Sequence, residues 1–427
     1  YKYKKDYTAK NVEYIEKTYE QVGKDIKAFG TGLLNLDLMG ERIVVVGKNR
    51  YEWCISYLAT TCSNMVIVPI DKALPDIEMQ RLIERSEAKA IIFDEKYLET
   101  IKKVQEKENS NLKTLICMDN IQEKGIKTFN EILEEGRNQI KNGDQKYDNI
   151  EIDENKMSIM LFTSGTTNEP KAVMLSQANI CANISNIACW VKLYPTDVLL
   201  SFLPIHHTFE CTITFLYGFY SGSQVAFCDG LKHIQQNLKE YKVSVFVAVP
   251  LVLETMYKKI QKAIEEQGKT GLIKKMTKIS NTLLKAKIDI RKIVFKQILD
   301  NFGGHLRVVL YGAAPMNKAT IIGYNNLGIS LVQGYGLTET SPVVTAETDK
   351  EKRPGSIGLA LANLNLKIAN PDNEGVGEIT VKGPSVMLGY YKNPEETKKV
   401  LKDGWFSTGD YGYKDKDGFV YITGRKK

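Results

Sequence analysis

Short runs of aliphatic and β-branched residues alternate with stretches of helical apolar spacing along most of this chain. The runs Arg42–Val46, Val66–Pro69, Ala90–Phe93, Thr114–Cys117 and Gln224–Phe227 predict strands, as do residues 157–162, 198–202, 243–247 and 307–310. Residues 76–87, 176–191 and 231–241 carry helical patterns between them. Such alternation predicts parallel sheets covered by helices on both faces. After about Thr340 the texture changes to short segments, 355–362, 364–369, 377–381 and 418–422, parted by Gly, Pro, Asn and Asp turns. A small antiparallel β unit is expected there.

One segment breaks the rhythm. Residues 258–299 read as helix, interrupted once at 268–271, with Met276, Ile279, Leu283, Ile290 and Val294 on one apolar stripe. Between Lys258 and Lys296 twelve Lys or Arg face three acids, Glu265, Glu266 and Asp289, an excess of +9. The whole chain of 427 residues carries only +7, so the remainder is slightly acidic. The segment fits a surface helix pair packed by one face, and equally an anionic membrane surface or an acidic protein partner. It does not fit nucleic acid, because Phe295 is its only ring after Tyr257 and stacking platforms need interleaved aromatics.

The composition, 43% hydrophobic and 26% charged, is that of a globular protein of two or three domains. No apolar run approaches the roughly 20 residues that span a bilayer. Seven cysteines without CxxC spacing read as reduced, mostly buried thiols of a cytoplasmic protein. Of four histidines only His206 and His207 adjoin, and neighbours on a strand point to opposite faces, which disfavours shared metal ligation.

The most informative stretch is Phe162-Thr163-Ser164-Gly165-Thr166-Thr167-Asn168-Glu169-Pro170-Lys171, directly after a strand. Glycine admits close backbone approach, N–H groups and hydroxyls donate to phosphate oxygens, and lysine adds positive charge, so the loop suits a polyphosphate. It is not a Walker loop, since Pro170 precedes the lysine and Ala172 follows it. By composition alone it fits a solvated turn as well.

Four further segments weigh against the turn: Leu203-Pro204-Ile205-His206-His207-Thr208-Phe209-Glu210; Tyr311-Gly312-Ala313-Ala314-Pro315; Gln333-Gly334-Tyr335-Gly336-Leu337-Thr338-Glu339-Thr340; and Gly404-Trp405-Phe406-Ser407-Thr408-Gly409-Asp410, with Gly424-Arg425 beyond. The third supplies an aromatic face, a hydroxyl and a carboxylate, suited to a base, a phosphate and Mg²⁺. The fourth puts an Asp in a glycine-rich turn, suited to ribose hydroxyls. With the opening loop, this set resembles the adenylate-forming (AMP-binding) superfamily, and within it most closely the bacterial long-chain fatty acyl-CoA synthetases.

The resemblance implies an α/β fold with two parallel-sheet α/β subdomains, layered αβαβα, plus a small distorted antiparallel β-barrel. Residues 1–340 would form the intertwined pair, 341–424 the barrel and 425–427 a hinge, with the family's mobile C-terminal domain and its adenylating lysine lying beyond. It implies that Thr163, Ser164, Gly165, Thr166, Thr167 and Lys171 hold the ATP β- and γ-phosphates. Gly312, Ala313, Ala314, Gly334, Tyr335 and Gly336 would line the adenine slot, with Tyr335 stacked on the base. Thr338 would touch the α-phosphate, Glu339 bind Mg²⁺, Asp410 hold the ribose with Arg425 beside it, and His207 flank the acyl carboxylate. Lys171, His207, Thr338 and Glu339 are then the expected catalytic groups. The implied reaction converts ATP and a fatty acid to an acyl-adenylate and then to acyl-CoA, with coenzyme A as second substrate. Delivery to an acyl carrier protein is the alternative, and a nucleotide-gated fatty-acid-binding module without turnover is a third reading. Asn168 and Ala172 depart from the family's glycines; Ala172 is expected to restrict loop closure and slow turnover.

Overall fold

The computed structural model describes residues 1–6, 8, 12–163, 169–348 and 351–425. Two large sheets dominate it. The first has eight strands in the order Gly389–Tyr390, Lys171–Ser176, Met157–Thr163, Val66–Pro69, Arg42–Val46, Ala90–Phe93, Thr114–Cys117 and Ile126–Thr128, parallel from Met157–Thr163 onward. Its central strands are buried on both faces, and the two-residue period divides them between two cores. Ile43 and Val45 join one apolar cluster, Val44 and Val46 the other.

Helices Tyr19–Leu34, Tyr51–Thr61 and Phe129–Lys141 contribute to the first cluster, and Asp76–Ser86 and Leu98–Gln105 to the second. Thr18 and Thr128 each close a capping box with the residue three positions on, Gln21 and Glu131, which fixes where their helices start. Helices Tyr19–Leu34 and Phe129–Lys141 meet at Gly136, where a Cβ would come within 1.8 Å of the Ala28 carbonyl oxygen. Only glycine permits that approach.

The second sheet has nine strands: Leu359–Ala360, Val343–Ala346, Ser330–Gly336, Val308–Tyr311, Val245–Ala248, Val198–Ser201, Gln224–Phe227, Lys2–Lys4 and Tyr14–Glu16. Its middle is parallel and its two ends are antiparallel. Val245 and Val247 point into the cluster that already holds Ile43 and Val45, so one apolar layer is shared by both sheets. Phe246 and Ala248 face a third cluster on the far side. The layered α/β architecture expected from the sequence is therefore present. A separate five-stranded antiparallel sheet follows, built from Asn365–Ala369, Gly377–Lys382, Leu401–Lys402, Trp405–Lys414 and Val420–Arg425.

Several expectations need correction. Of residues 355–362 only Leu359–Ala360 forms a strand, and it extends the nine-stranded sheet through Val343–Ala346. Residues 231–241 start as a 3₁₀ turn, Leu231–His233, before the helix Ile234–Glu240. His206 and His207 lie in a turn, so their rings sit side by side with centroids 4.1 Å apart instead of on opposite strand faces. Of the cysteines Cys54, Cys117 and Cys211 are buried, while Cys181 and Cys189 are exposed.

The basic segment is helical at Pro250–Glu266 and Thr270–Lys285, then turns through Arg291–Val294 and Lys296–Leu299. Ser280 and Phe295 face inward, while Leu272, Ile279, Ile288 and Ile293 are exposed. No helix among the described residues is long and apolar enough to cross a membrane.

Candidate active site

The strand ends and the antiparallel sheet enclose a cavity of about 940 Å³. Its wall includes Thr163, Lys171, His207, Ala313, Gly334, Tyr335, Gly336, Thr338, Glu339 and Arg425. Residues up to 262 positions apart in sequence thus converge on one space, because parallel strands deliver their C-terminal ends to the same edge of a sheet.

Thr163 and Lys171 are direct register partners at the ends of two antiparallel strands, Met157–Thr163 and Lys171–Ser176. The connection between them is the hydroxyl-rich loop. Ser164, Gly165, Thr166, Thr167 and Asn168 lie outside the described residues. Ala172 is a buried strand residue opposite Phe162, and its carbonyl accepts from the Tyr391 N–H at 2.8 Å. It belongs to the strand and not to the loop, so the expectation that it restricts loop closure has no footing in its position.

Strand Ser330–Gly336 carries the second group. Gly336 is required, since a Cβ there would meet the Pro342 carbonyl oxygen at 1.8 Å. Gly312 packs on the backbone of this strand, its hypothetical Cβ 2.6 Å from the Gly334 carbonyl oxygen. Ala313, on the cavity wall, takes a left-handed backbone with φ of 70°, a strained state for a residue with a Cβ. Ala314 is exposed and lies beside the wall. Thr338 and Glu339 follow on a 3₁₀ turn, Thr338–Thr340, pinned by the Leu337 N–H donating to Thr340 Oγ1 at 3.0 Å.

The Tyr335 hydroxyl donates to Asp410 Oδ2 at 2.6 Å, and Arg425 Nε lies 3.5 Å from Asp410 Oδ1. Burial, then the Asp410 charge, pushes the Tyr335 hydroxyl far above its usual pKa. The expected base-stacking ring and the expected ribose ligand are therefore joined across two sheets. Asp410 does not sit in a turn as the glycines suggested. It lies within strand Trp405–Lys414, where Thr408, Gly409 and Asp410 oppose Ile379 alone, between the pairs Ser407–Thr380 and Tyr411–Glu378. Gly409 takes a positive φ of 76° in that bulge, which aims Asp410 at Tyr335.

His207 lines the cavity, and desolvation lowers its pKa. His206 behind it is lowered to about 3 by burial and by His207, despite Asp71 Oδ2 at 3.7 Å from its Nε2. Both rings are neutral at neutral pH. Beneath them Glu210 is wholly buried, accepting from Ser201 Oγ at 2.7 Å and Thr214 Oγ1 at 2.9 Å. Desolvation pushes its carboxyl up to about 8, so it is largely protonated at neutral pH.

Among the wall residues that sequence reasoning missed are Tyr390, Glu396 and Lys399. The Tyr390 hydroxyl donates to Glu339 Oε1 at 2.9 Å, and Lys171 Nζ lies 2.8 Å from Glu396 Oε2. No local motif announces them; they arrive because strand Gly389–Tyr390 pairs with Lys171–Ser176. Among the described residues no three His, Cys, Asp or Glu side chains gather as a metal site.

The family described as AMP-binding enzyme matches residues 1–391. Long-chain-fatty-acid–CoA ligase 6 of Mus musculus is 31% identical over 444 residues, covering 96% of this chain and 63% of its own length. Long-chain-fatty-acid–CoA ligase FadD15 of Mycobacterium bovis is 28% identical, covering 97% of this chain and 70% of its own. The chain therefore spans under two thirds of the mouse protein. Among solved structures, the N-terminal domain of FACL13 from Mycobacterium tuberculosis superposes with a TM-score of 0.75 at 21% identity, over 96% of this chain and 93% of that one. Anthranilate CoA ligase AuaEII in complex with anthranoyl-AMP gives 0.76 at 17% identity, over 97% and 73%. At such identities these two likenesses show the fold.

Proposed function

The chain belongs to the AMP-binding enzyme family, and from that premise we propose that it holds ATP and a fatty acid in the 940 Å³ cavity. In the complete protein the acid becomes an acyl-adenylate, and coenzyme A then displaces AMP. The observation that carries this reading is the convergence of Lys171, Thr338, Glu339, Tyr335 and Arg425 on one space, with Asp410 bonded to Tyr335 and beside Arg425 at its edge.

A carboxylate is a poor electrophile, and adenylation gives it AMP as a good leaving group. Attack on the α-phosphate needs charge neutralised on both attacking and departing oxygens. Lys171 would neutralise the departing β- and γ-phosphates and Thr338 donate to the α-phosphate. Glu339 would hold Mg²⁺, which supplies further neutralisation of phosphate charge. A single carboxylate fits, because Mg²⁺ usually takes one or two carboxylates and completes its shell with waters and substrate phosphates. Tyr390 engages Oε1 of Glu339, and among the described residues no partner is shown for Oε2, which would take that role. Asp410 would accept from the ribose hydroxyls, with Arg425 and Tyr335 orienting it. His207, neutral, would donate near the acyl carboxylate without an added charge.

The acyl tail has an apolar exit. A cavity of about 30 Å³ lined by Ile187, Trp190, Ile213, Leu310 and neighbours shares Phe209, Gly334 and Val343 with the large one. A long chain would need those side chains to move apart. Residues 1–340 and 341–424 are proposed as two interleaved units whose joint grips the nucleotide, since Val343–Ala346 and Leu359–Ala360 pair into the nine-stranded sheet and Gly389–Tyr390 into the eight-stranded one. The expected hinge at 425–427 runs into residues 426–427, which lie outside the described residues. The relatives named as CoA ligases favour coenzyme A as acceptor over a carrier protein. A cytoplasmic enzyme that docks on anionic membranes through the segment between Lys258 and Lys296 is part of the same proposal; its exposed lysines flank Leu272 and Ile279. The decisive assay is fatty-acid-dependent AMP release from ATP by the complete protein, with coenzyme A and holo-carrier protein compared as acceptors. Absence of AMP release with every medium- and long-chain acid would defeat the reading.

A further inference from the structure

One ion pair in the cavity has no part in that scheme. Lys171, at the base of the hydroxyl-rich loop, is paired with Glu396, and both side chains are largely sheltered, at 15% and 23% exposure. The pair is built in by three backbone devices. Strand Gly389–Tyr390 pairs antiparallel with Lys171–Ser176, matching Tyr390 to Val173. The Tyr390 N–H donates to Thr397 Oγ1 at 2.9 Å, tying helix Pro394–Val400 to that strand. Asn393 caps the helix by accepting from the Glu396 N–H at 3.1 Å. The ammonium group also lies over the Tyr390 ring, 5.1 Å from its centroid. Lys399, on the cavity wall and one turn along the same helix, is ion-paired to Glu396 as well.

We propose that Glu396 is a resident counter-ion of Lys171 that competes with the β- and γ-phosphates of ATP, making it a positioning residue that sets how tightly the triphosphate is held. The proposal rests on the adenylation reading above, in which Lys171 is the phosphate ligand. Three physical points support it. A sheltered ammonium group without a partner is costly, so the lysine is held by an anion before nucleotide arrives. When Lys171 turns to phosphate, Glu396 retains Lys399, so its charge is not stranded. Lys171, then Lys399, holds the Glu396 carboxyl down to about 2, so the counter-ion is charged at every working pH. The competition reads nucleotide charge: AMP, with no β- or γ-phosphate, does not contend for Lys171.

The test compares MgATP and AMP titrated calorimetrically into the wild-type protein and the variants Glu396→Gln and Glu396→Asp. The Gln variant is expected to bind MgATP about three- to five-fold more tightly, the scale of a partly exposed ion pair, while AMP affinity stays within about two-fold. In steady state the same gain appears in KM for ATP and not in kcat. The Asp variant, with charge on a shorter arm, is expected to fall between, and it decides the matter if the Gln variant melts early. Unchanged or weaker MgATP binding, or equal tightening of AMP, overturns the counter-ion role. A wild-type protein that binds neither nucleotide defeats the adenylation reading instead.

Discussion

The central strands of the eight-stranded sheet and the walls of the cavity use burial in opposite ways. In the strands Arg42–Val46, Val66–Pro69 and Ala90–Phe93 burial removes apolar surface from water, and nearly every side chain is interchangeable with another aliphatic of similar volume. Around the cavity burial shelters charged and polar groups that are tied to particular partners: Tyr335 to Asp410, Tyr390 to Glu339, Lys171 to Glu396. The first region resists damage by redundancy. The second has less, because a sheltered polar atom that loses its partner cannot regain water, and only a few groups, such as Glu396 with Lys171 and Lys399, hold a second partner.

Core truncation gives the largest expected effect of a substitution at constant pH. Ile92→Ala, at a fully buried site, should cost about 3 kcal/mol of stability, within the usual 2–5 for such a deletion. Denaturant unfolding measures it, and the folded fraction should keep its ATP affinity; a parallel loss of affinity would mean that core and cleft are coupled.

Glu210 is the point where the two regions meet, a titratable group inside dry surroundings. Its folded pKa of about 8 lies above the unfolded value near 4.5. The folded state therefore binds the extra proton between those values, and its stability falls as pH rises through that window. The slope is roughly 1.4 kcal/mol per pH unit at most, and no further loss follows above about pH 8. Melting temperature measured from pH 5 to 9 should decline in wild type. In Glu210→Gln, which can hold Ser201 and Thr214 with its oxygen accepting from one and its amide N–H donating to the other, the decline should be far shallower.

Tyr335→Phe removes one bond between two sheets and leaves the Asp410 carboxylate short of a donor, a change of about 1 kcal/mol. It should weaken ATP binding about five-fold while changing the melting temperature little. A larger loss of stability than of affinity would show that the joint is structural. The smallest effect belongs to the exposed pair Lys24–Glu20. Glu20→Gln should leave the melting temperature unchanged within error, because solvent screens so exposed a pair, which sets the baseline for the other three.

Much of the fold was legible because fully buried strands leave continuous apolar runs. Arg42–Val46, Val66–Pro69, Ala90–Phe93, Thr114–Cys117 and Gln224–Phe227 were read with the bounds the structure shows. Strand Trp405–Lys414 was hidden because Gly404 just before it and Gly409 and Gly412 within it mimic a turn; Gly404 and Gly409 do take positive φ, but the latter forms a bulge that the strand runs through. Most of 355–362, all but Leu359–Ala360, failed as a strand, and Gly355 and Gly358 there adopt positive φ.

The candidate site divides the same way. Its chain-local parts, Lys171, Tyr335, Thr338, Glu339, Asp410 and Arg425, lie in segments whose residue types suit a nucleotide, and the family resemblance that those segments carry together assigned them their roles. Residue chemistry determined which groups could meet a phosphate, a ribose or a cation, and apolar periodicity determined that parallel sheets would carry them. Tertiary structure alone decided that Tyr335 bonds Asp410 and that Glu396 faces Lys171, since those contacts join positions 75 and 225 residues apart. Such pairings depend on which strand edges meet, and strand order is set by the packing of whole layers, a property that no short window of sequence contains.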